Sequence, residues 1–169
     1  MRFRRARALP YNDLLANLPA ELWRRRKGRN AMSFTIERRE RDGLPILAIK
    51  GRLLAGESVA SLRETITELI AAGRTRIVFD CRETSYIDSS GLGCLVVAHS
   101  SAANREGHMA IYGLNRRGLE LLIITKLSTV FAVFAEEIDA VNSCFPDRTA
   151  RHFDILNFVQ QSRAESAGS

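Results

Sequence analysis

At 169 residues, 46% hydrophobic and 26% charged, the chain has the composition of a folded globular protein built on one core with extensions, and not of a disordered or fibrous one. Its longest apolar stretches, around residues 119–125 and 130–135, fall far short of the roughly 20 residues that span a bilayer, and no apolar stretch of a secretory leader follows the basic N-terminus, so no integral membrane segment and a cytoplasmic location are expected. The net charge of +6 is concentrated in residues 1–31, where nine arginines and lysines meet only Asp13 and Glu21 for a net of +7; the remaining −1 argues against a basic face, and no direct nucleic acid contact is expected.

Within residues 1–31, Leu14, Leu15, Leu18, Leu22 and Trp23 have the spacing of a short amphipathic helix interrupted near Pro19. Such a helix is marginal alone. The segment suits a weakly ordered extension better than an arm for an anionic membrane surface or nucleic acid. Met32 is a second candidate start, because a strand-like pattern begins there.

Residues 32–145 alternate between strand and helix patterns. Residues 34–38 alternate apolar with polar, Asp42-Gly43 suits a tight turn, and residues 44–53 form a second strand with Ile46, Ala48 and Lys50 on one face, paired antiparallel with the first. After a loop at residues 55–58, Leu62, Ile66, Leu69 and Ile70 recur at i, i+4, i+7 and i+8, a helix that Gly73 caps. Residues 76–81 read as a buried strand. Tyr86 and Ile87 then end a strand before a second helix that runs to about Arg105, and Gly107 closes it. A strand at residues 108–112, a helix from about Arg116 carrying Leu119, Leu122, Ile123 and Leu127, a strand at 130–134 and a helix at 136–144 complete the order β-β-α-β-α-β-α-β-α. Residues 146–169 form a C-terminal extension in which Phe153, Ile155, Leu156, Phe158 and Val159 suit a short docked helix, with an unordered end from Ser162.

The segment Asp88-Ser89-Ser90-Gly91-Leu92-Gly93 places two hydroxyls at a helix start directly after a strand. Asp88 or Ser89 can accept a bond from first-turn amides, and Gly91 and Gly93 leave the helix surface bare for a partner. A phosphoryl group on such a serine adds about −1.5 to −2 charge, which helix amides accommodate and a docked partner does not. A plain helix cap uses the same residue types.

Other chemistries fit less well. A serine nucleophile at Ser89 or Ser90 lacks the Gly-x-Ser-x-Gly elbow and a nearby histidine, since His99, His108 and His152 lie ten or more positions past Ser89. Asp80, Glu83 and Asp88 lack the His or Cys companions of a transition-metal site. Cys81, Cys94 and Cys144 are odd in number and widely spaced, and read as packed free thiols, Cys94 being the one candidate redox sensor. No enzyme activity, metal or cofactor is expected.

The order of elements and the Asp-Ser-Ser-Gly-Leu-Gly run together resemble the STAS family, found in bacterial anti-sigma-factor antagonists and in sulfate-transporter tails. The resemblance covers residues 32–145. It implies an α/β fold, a mixed sheet of about four to five strands with helices mainly on one face. It also implies that Ser89 is phosphorylated by a partner that is both anti-sigma factor and serine/threonine kinase. The unphosphorylated form holds that kinase and frees the sigma factor, and a serine phosphatase resets the cycle. Asp88, Ser90, Gly91, Leu92 and Gly93 would form the docking surface. Where family members often carry Gly-Glu-Leu-Asp after the second strand, this chain has Gly51-Arg52-Leu53-Leu54; Glu57 is the candidate replacement charge. The alternative function is a subunit of a lipid-transport or other signalling complex that docks through the same helix without phosphorylation.

Overall fold

A tight hairpin sets the register from which the sheet is built. The computed structural model describes residues 34–168; the helix pattern around Leu14 to Trp23 and the role of Met32 lie outside the described residues. Strand β1 (Thr35–Arg41) pairs antiparallel with β2 (Leu44–Leu53), Arg41 opposite Leu44 and Thr35 opposite Lys50. Between them Asp42 and Gly43 take φ of 53° and 77°, the positive angles that match a two-residue turn to the twist of its strands. β1 lies at the edge of the sheet and is largely exposed and charged, which discourages pairing with another chain.

From β2 the sheet continues through parallel strands β3 (Arg76–Asp80), β5 (His108–Tyr112) and β6 (Ala132–Phe134). Residues 44–49 of β2 are all buried, because both of its faces are covered. Lys50, by contrast, is half-buried and reaches Glu37 at 3.0 Å and Glu83 at 3.2 Å.

The sheet has six strands, one more than the upper sequence expectation. The extra one arises because residues 76–87 break into β3 and β4 (Thr84–Ile87), and β4 pairs with the far end of β2. The chain re-pairs there for local reasons. The Arg82 amide turns back to the Asp80 carboxylate, the Gly51 amide donates to the Glu83 carbonyl at 2.9 Å, and the Thr84 hydroxyl donates to the Ile49 carbonyl at 2.7 Å. The register of β2 shifts between Gly51 and Arg52 to receive it.

Three helices, α1 (Glu57–Ala71), α2 (Ser89–Ala103) and α3 (Arg116–Ile124), cover one face of the sheet, and the short α4 (Glu137–Asn142) covers the other. The expected stripe of α1, Leu62, Ile66, Leu69 and Ile70, is buried against Leu47, Ile49, Ile77 and Phe79. Gly73, at φ 77°, ends α1 with paired bonds from the Gly73 and Arg74 amides to the Ile70 and Leu69 carbonyls. α3 stops before Leu127, which opens a separate 3-10 turn after Lys126 adopts φ 60°. β6 starts at Ala132 and α4 spans only residues 137–142, both shorter than the patterns suggested.

Helix α5 (Ile155–Ala167) joins the first face, with Ile155 and Val159 in the main core. The Phe153 amide donates to the Val133 carbonyl at 3.1 Å, which covers the free edge of β6. The helix runs past Ser162, where an unordered end was expected. Its Ser162 and Ser166 hydroxyls bond back one turn, and Ser166 also accepts from Arg116.

On the α4 face a charged network closes the side that no long helix covers. Arg39 donates to Asp80 at 3.0 Å, to the Tyr112 hydroxyl at 2.6 Å and to Glu137 at 2.6 Å, while Arg41 donates to Glu137 and Arg82 to Asp80. These bonds tie the edge strand, the centre of the sheet and α4 together. The Arg39 hydrogen bond holds Glu137 down to about 2 against the opposing effect of burial. Burial pushes Asp80 upward, but its bonds to Arg82 and Arg39 outweigh that and leave it well below the usual carboxylate range.

Both carboxylates therefore bind protons more readily in the unfolded chain, so stability should rise with pH through the ordinary carboxylate range and level off above about pH 5. Urea midpoints recorded from about pH 3 to pH 7 should show this rise, and Glu137→Gln should flatten it as well as lower the neutral-pH midpoint. An unchanged pH slope in that variant would assign the effect elsewhere.

Candidate functional site

β4 delivers the chain to the start of α2. Arg52 lies opposite Tyr86 and Leu53 opposite Ile87 in the parallel register, and the Asp88 amide donates to the Leu53 carbonyl at 3.1 Å. Asp88 then takes an extended conformation, φ −89° and ψ −179°, as the N-cap of α2. Its two carboxylate oxygens have separate tasks. Oδ1 accepts from the Gly91 amide at 2.8 Å, and Oδ2 accepts from the Ala55 amide at 2.9 Å in the loop after β2. One side chain thus caps the helix and fastens the neighbouring loop.

That loop leads to Glu57. Ser58 folds it, accepting from the Leu54 amide at 2.8 Å and donating to the Leu54 carbonyl at 2.6 Å. Glu57 stands exposed in the first turn of α1, on the helix that packs beside α2. The Asp88 bond to Ala55 therefore brings the Glu57 loop and the Ser89 helix start together, although 32 positions separate the two residues.

Ser89 and Ser90 occupy the first two helical positions and are exposed. Because Asp88 supplies the cap to Gly91, neither serine hydroxyl is needed to close the helix. The amides of Ser89 and Ser90 precede the first intrahelical acceptors and remain available to an anion. Gly93 is also exposed, with open space where a Cβ would stand. Val97, 56% exposed, follows at i+4 from Gly93 and i+7 from Ser90, adding an apolar group to the same strip. The sequence reading missed Val97, though its spacing from Ser90 was a visible signal.

Gly91 and Leu92 need a correction. They were expected on the docking surface, but both are buried. A Cβ on Gly91 would lie 2.7 Å from the Leu53 carbonyl oxygen and 2.8 Å from Leu53 Cγ, so glycine is required for α2 to approach β2. Leu92 belongs to the main core. These two residues position the helix, while Ser89, Ser90, Gly93 and Val97 form its outward face.

The remaining candidates are engaged elsewhere. Asp80 is held by Arg39 and Arg82, Glu83 pairs with Lys50, and Asp88 is the cap, so the three carboxylates do not converge. His99 packs edge-on against Phe131 with ring centres 5.7 Å apart, His108 lies 3.2 Å from the Ser143 hydroxyl, and His152 packs on Phe134. All three cysteines are buried. Burial raises the Cys94 thiol and pushes Cys81 up to about 12 and Cys144 to about 11, the reverse of an activated thiol.

Residues 35–140 match the model of the STAS domain. The chain belongs to the STAS family. It is 31% identical over 106 residues to the anti-sigma-B factor antagonist of Listeria monocytogenes, covering 60% of this chain and 90% of that protein, and matches the Listeria innocua protein of the same name equally well. Among solved structures, an anti-sigma factor antagonist from Mycobacterium paratuberculosis shares the fold at a TM-score of 0.61 and 17% identity, over 68% of this chain and 97% of that one. The Bacillus cell fate determinant SpoIIAA in its phosphorylated form does so at a TM-score of 0.52 and 20% identity, over 66% and 98%. The STAS match ends before α5, so this helix, packed on α3, is an addition to the matched domain. Among the described residues no helix is long and apolar enough to cross a membrane.

The different surroundings of the two glycines predict opposite responses. Gly91→Ala should lower stability by about 1–3 kcal/mol through overpacking against Leu53. Gly93→Ala, in open space within a helix, should raise it by up to about 1 kcal/mol. Denaturant titration of the two variants measures both, and a well-tolerated Gly91→Ala would contradict the close approach.

Proposed function

We propose that this STAS protein is an anti-sigma factor antagonist. In its unphosphorylated form it binds an anti-sigma factor that is also a serine kinase, and phosphorylation of Ser89 releases that partner. A serine phosphatase restores the binding form. Regulation of sigma-factor-dependent transcription follows from sequestering the partner, without contact between this protein and DNA.

The observation that carries this reading is the division of labour at the start of α2. Asp88 makes both structural bonds, leaving the adjacent Ser89 exposed and with no structural duty. A phosphoryl group there would add about −1.5 to −2 charge beside open first-turn amides, so the domain tolerates it. A partner packed on Gly93 and Val97 would instead face a bulky, solvated anion at the edge of an apolar contact. The anti-sigma-B factor antagonists of Listeria support this assignment, and the phosphorylated form of SpoIIAA supports a fold that accepts the modification.

Incubation with the anti-sigma kinase and ATP should add one phosphate at Ser89. Ser89→Ala should abolish incorporation while Ser90→Ala retains it, and Ser89→Asp should weaken kinase binding by about tenfold or more, equivalent to roughly 1.4 kcal/mol. Mass spectrometry that places the phosphate elsewhere, or finds none, would defeat the reading.

A further inference from the structure

Next to the docking helix, a cleft of about 100 Å³ opens between β4 and the start of α3. Drug-sized ligand sites run to roughly 300–1,000 Å³, so this one is the size for a side chain and not for a cofactor. Its walls include Tyr86, Ile87, Leu114 and Leu121, with Arg117 at its margin. Tyr86 is 42% exposed, and the Arg52 guanidinium lies 5.4 Å from its ring centre. Tyrosine and arginine are among the residue types enriched at positions that dominate binding, and here the two stack beside a partly apolar recess.

The cleft is held open by bonds that need no ligand. Asn115 Nδ2 donates to the Thr84 and Ser85 carbonyls at 3.1 and 3.2 Å, while Oδ1 accepts from the Gly118 amide at 2.9 Å. Asn115 therefore clamps α3 to β4 and caps α3 with the same amide group. A partner finds the recess preformed and avoids the cost of ordering it.

Charge then selects the occupant. No carboxylate lines the cleft, and neither Arg52 nor Arg117 has an ion-pair partner among the described residues, whereas neighbouring Arg116 is paired with Glu120 at 3.1 Å and Arg82 with Asp80 at 2.7 Å. Two guanidinium groups without an ion-pair partner among the described residues thus stand at Tyr86 and in the cleft wall, although residues 32–169 carry a net of −1.

We infer that this cleft is a socket for a partner-protein segment in which an apolar side chain is flanked by carboxylates, the apolar group entering between Ile87, Leu114 and Leu121 and the carboxylates meeting Arg52 and Arg117. The inference rests on the docking role proposed above and specifies the chemistry of the partner. Arg52 and Arg117 then set the sign of the charge that the partner must present.

The test uses the full chain, isotope-labelled, titrated with short acetylated peptides of sequence Gly-Ser-Glu-Leu-Glu-Ser-Gly and with counterparts whose centre is Lys-Leu-Lys or Glu-Gly-Glu. The Glu-Leu-Glu peptide should shift the amide signals of Ile87, Gly118 and Leu121 in a saturable manner that weakens as salt is raised. Arg52→Glu and Arg117→Glu should each weaken that binding by about tenfold, while Arg52→Lys and Arg117→Lys keep most of it. Retained dispersion of the remaining amide signals checks that each variant is folded. Shifts of equal size with the Lys-Leu-Lys or Glu-Gly-Glu peptide, shifts located elsewhere, or no shifts would overturn the socket. Ser89→Ala should leave the peptide titration unchanged, so the socket stands or falls separately from the phosphorylation reading.

Discussion

The Asp88 carboxylate is the contact on which the exposed start of α2 depends. Its two oxygens receive two amides from distant parts of the chain, one in the first turn of α2 and one in the loop that follows β2. A serine at the same position can cap the helix but has a single oxygen with which to do both tasks. By satisfying both donors, Asp88 fixes where α2 begins and frees the next residue, Ser89, from any structural role. An exposed serine at a helix start tolerates modification only if something else closes the helix, and here the preceding residue does so.

The sheet supplies the rigidity that makes this contact meaningful. β2 serves two parallel neighbours in turn, β3 along its first half and β4 along its second, with the register shift at Gly51 and Arg52 marking the handover. That shift brings Leu53 beside Ile87 and sets the close approach to Gly91. It also carries Arg52 onto the ring of Tyr86. The exposed start of α2 and the adjacent cleft therefore both depend on one irregularity in one strand. On the opposite side, Arg39, Asp80, Tyr112 and Glu137 lock the edge strand to the sheet and to α4. Such paired charges cost desolvation, and they contribute geometry at least as much as stability.

Much of this was legible in the chain, and the physical reasons are local. The alternation in residues 34–38, the Asp42-Gly43 turn and the stripe Leu62, Ile66, Leu69 and Ile70 each depend on a few neighbouring residues, and all three stand in the structure as the patterns indicated. The helix start at Ser89 was equally visible, because a polar capping residue between a strand and an apolar helix has few other uses. Strand β4 was harder to see. Its four residues carry little periodicity of their own, and only the hydrogen bonds from Gly51 and Thr84 make them a strand.

By itself, then, the sequence determined the succession of elements apart from β4 and the position of two hydroxyls at the head of a helix, since these follow from spacing and residue type over short distances; the STAS family showed in it only as a resemblance. Tertiary structure alone decided which residues of that helix face outward. Gly91 and Leu92 turn inward because the Leu53 carbonyl and the core lie against them, and the exposed strip is left to Ser89, Ser90, Gly93 and Val97. It also decided that Tyr86 and Arg117 line one cleft and that Arg52 stacks on that tyrosine. Their proximity depends on the pairing of β2 with β4 and the clamp of Asn115 on α3, contacts between segments whose separation in sequence carries no signal of their meeting.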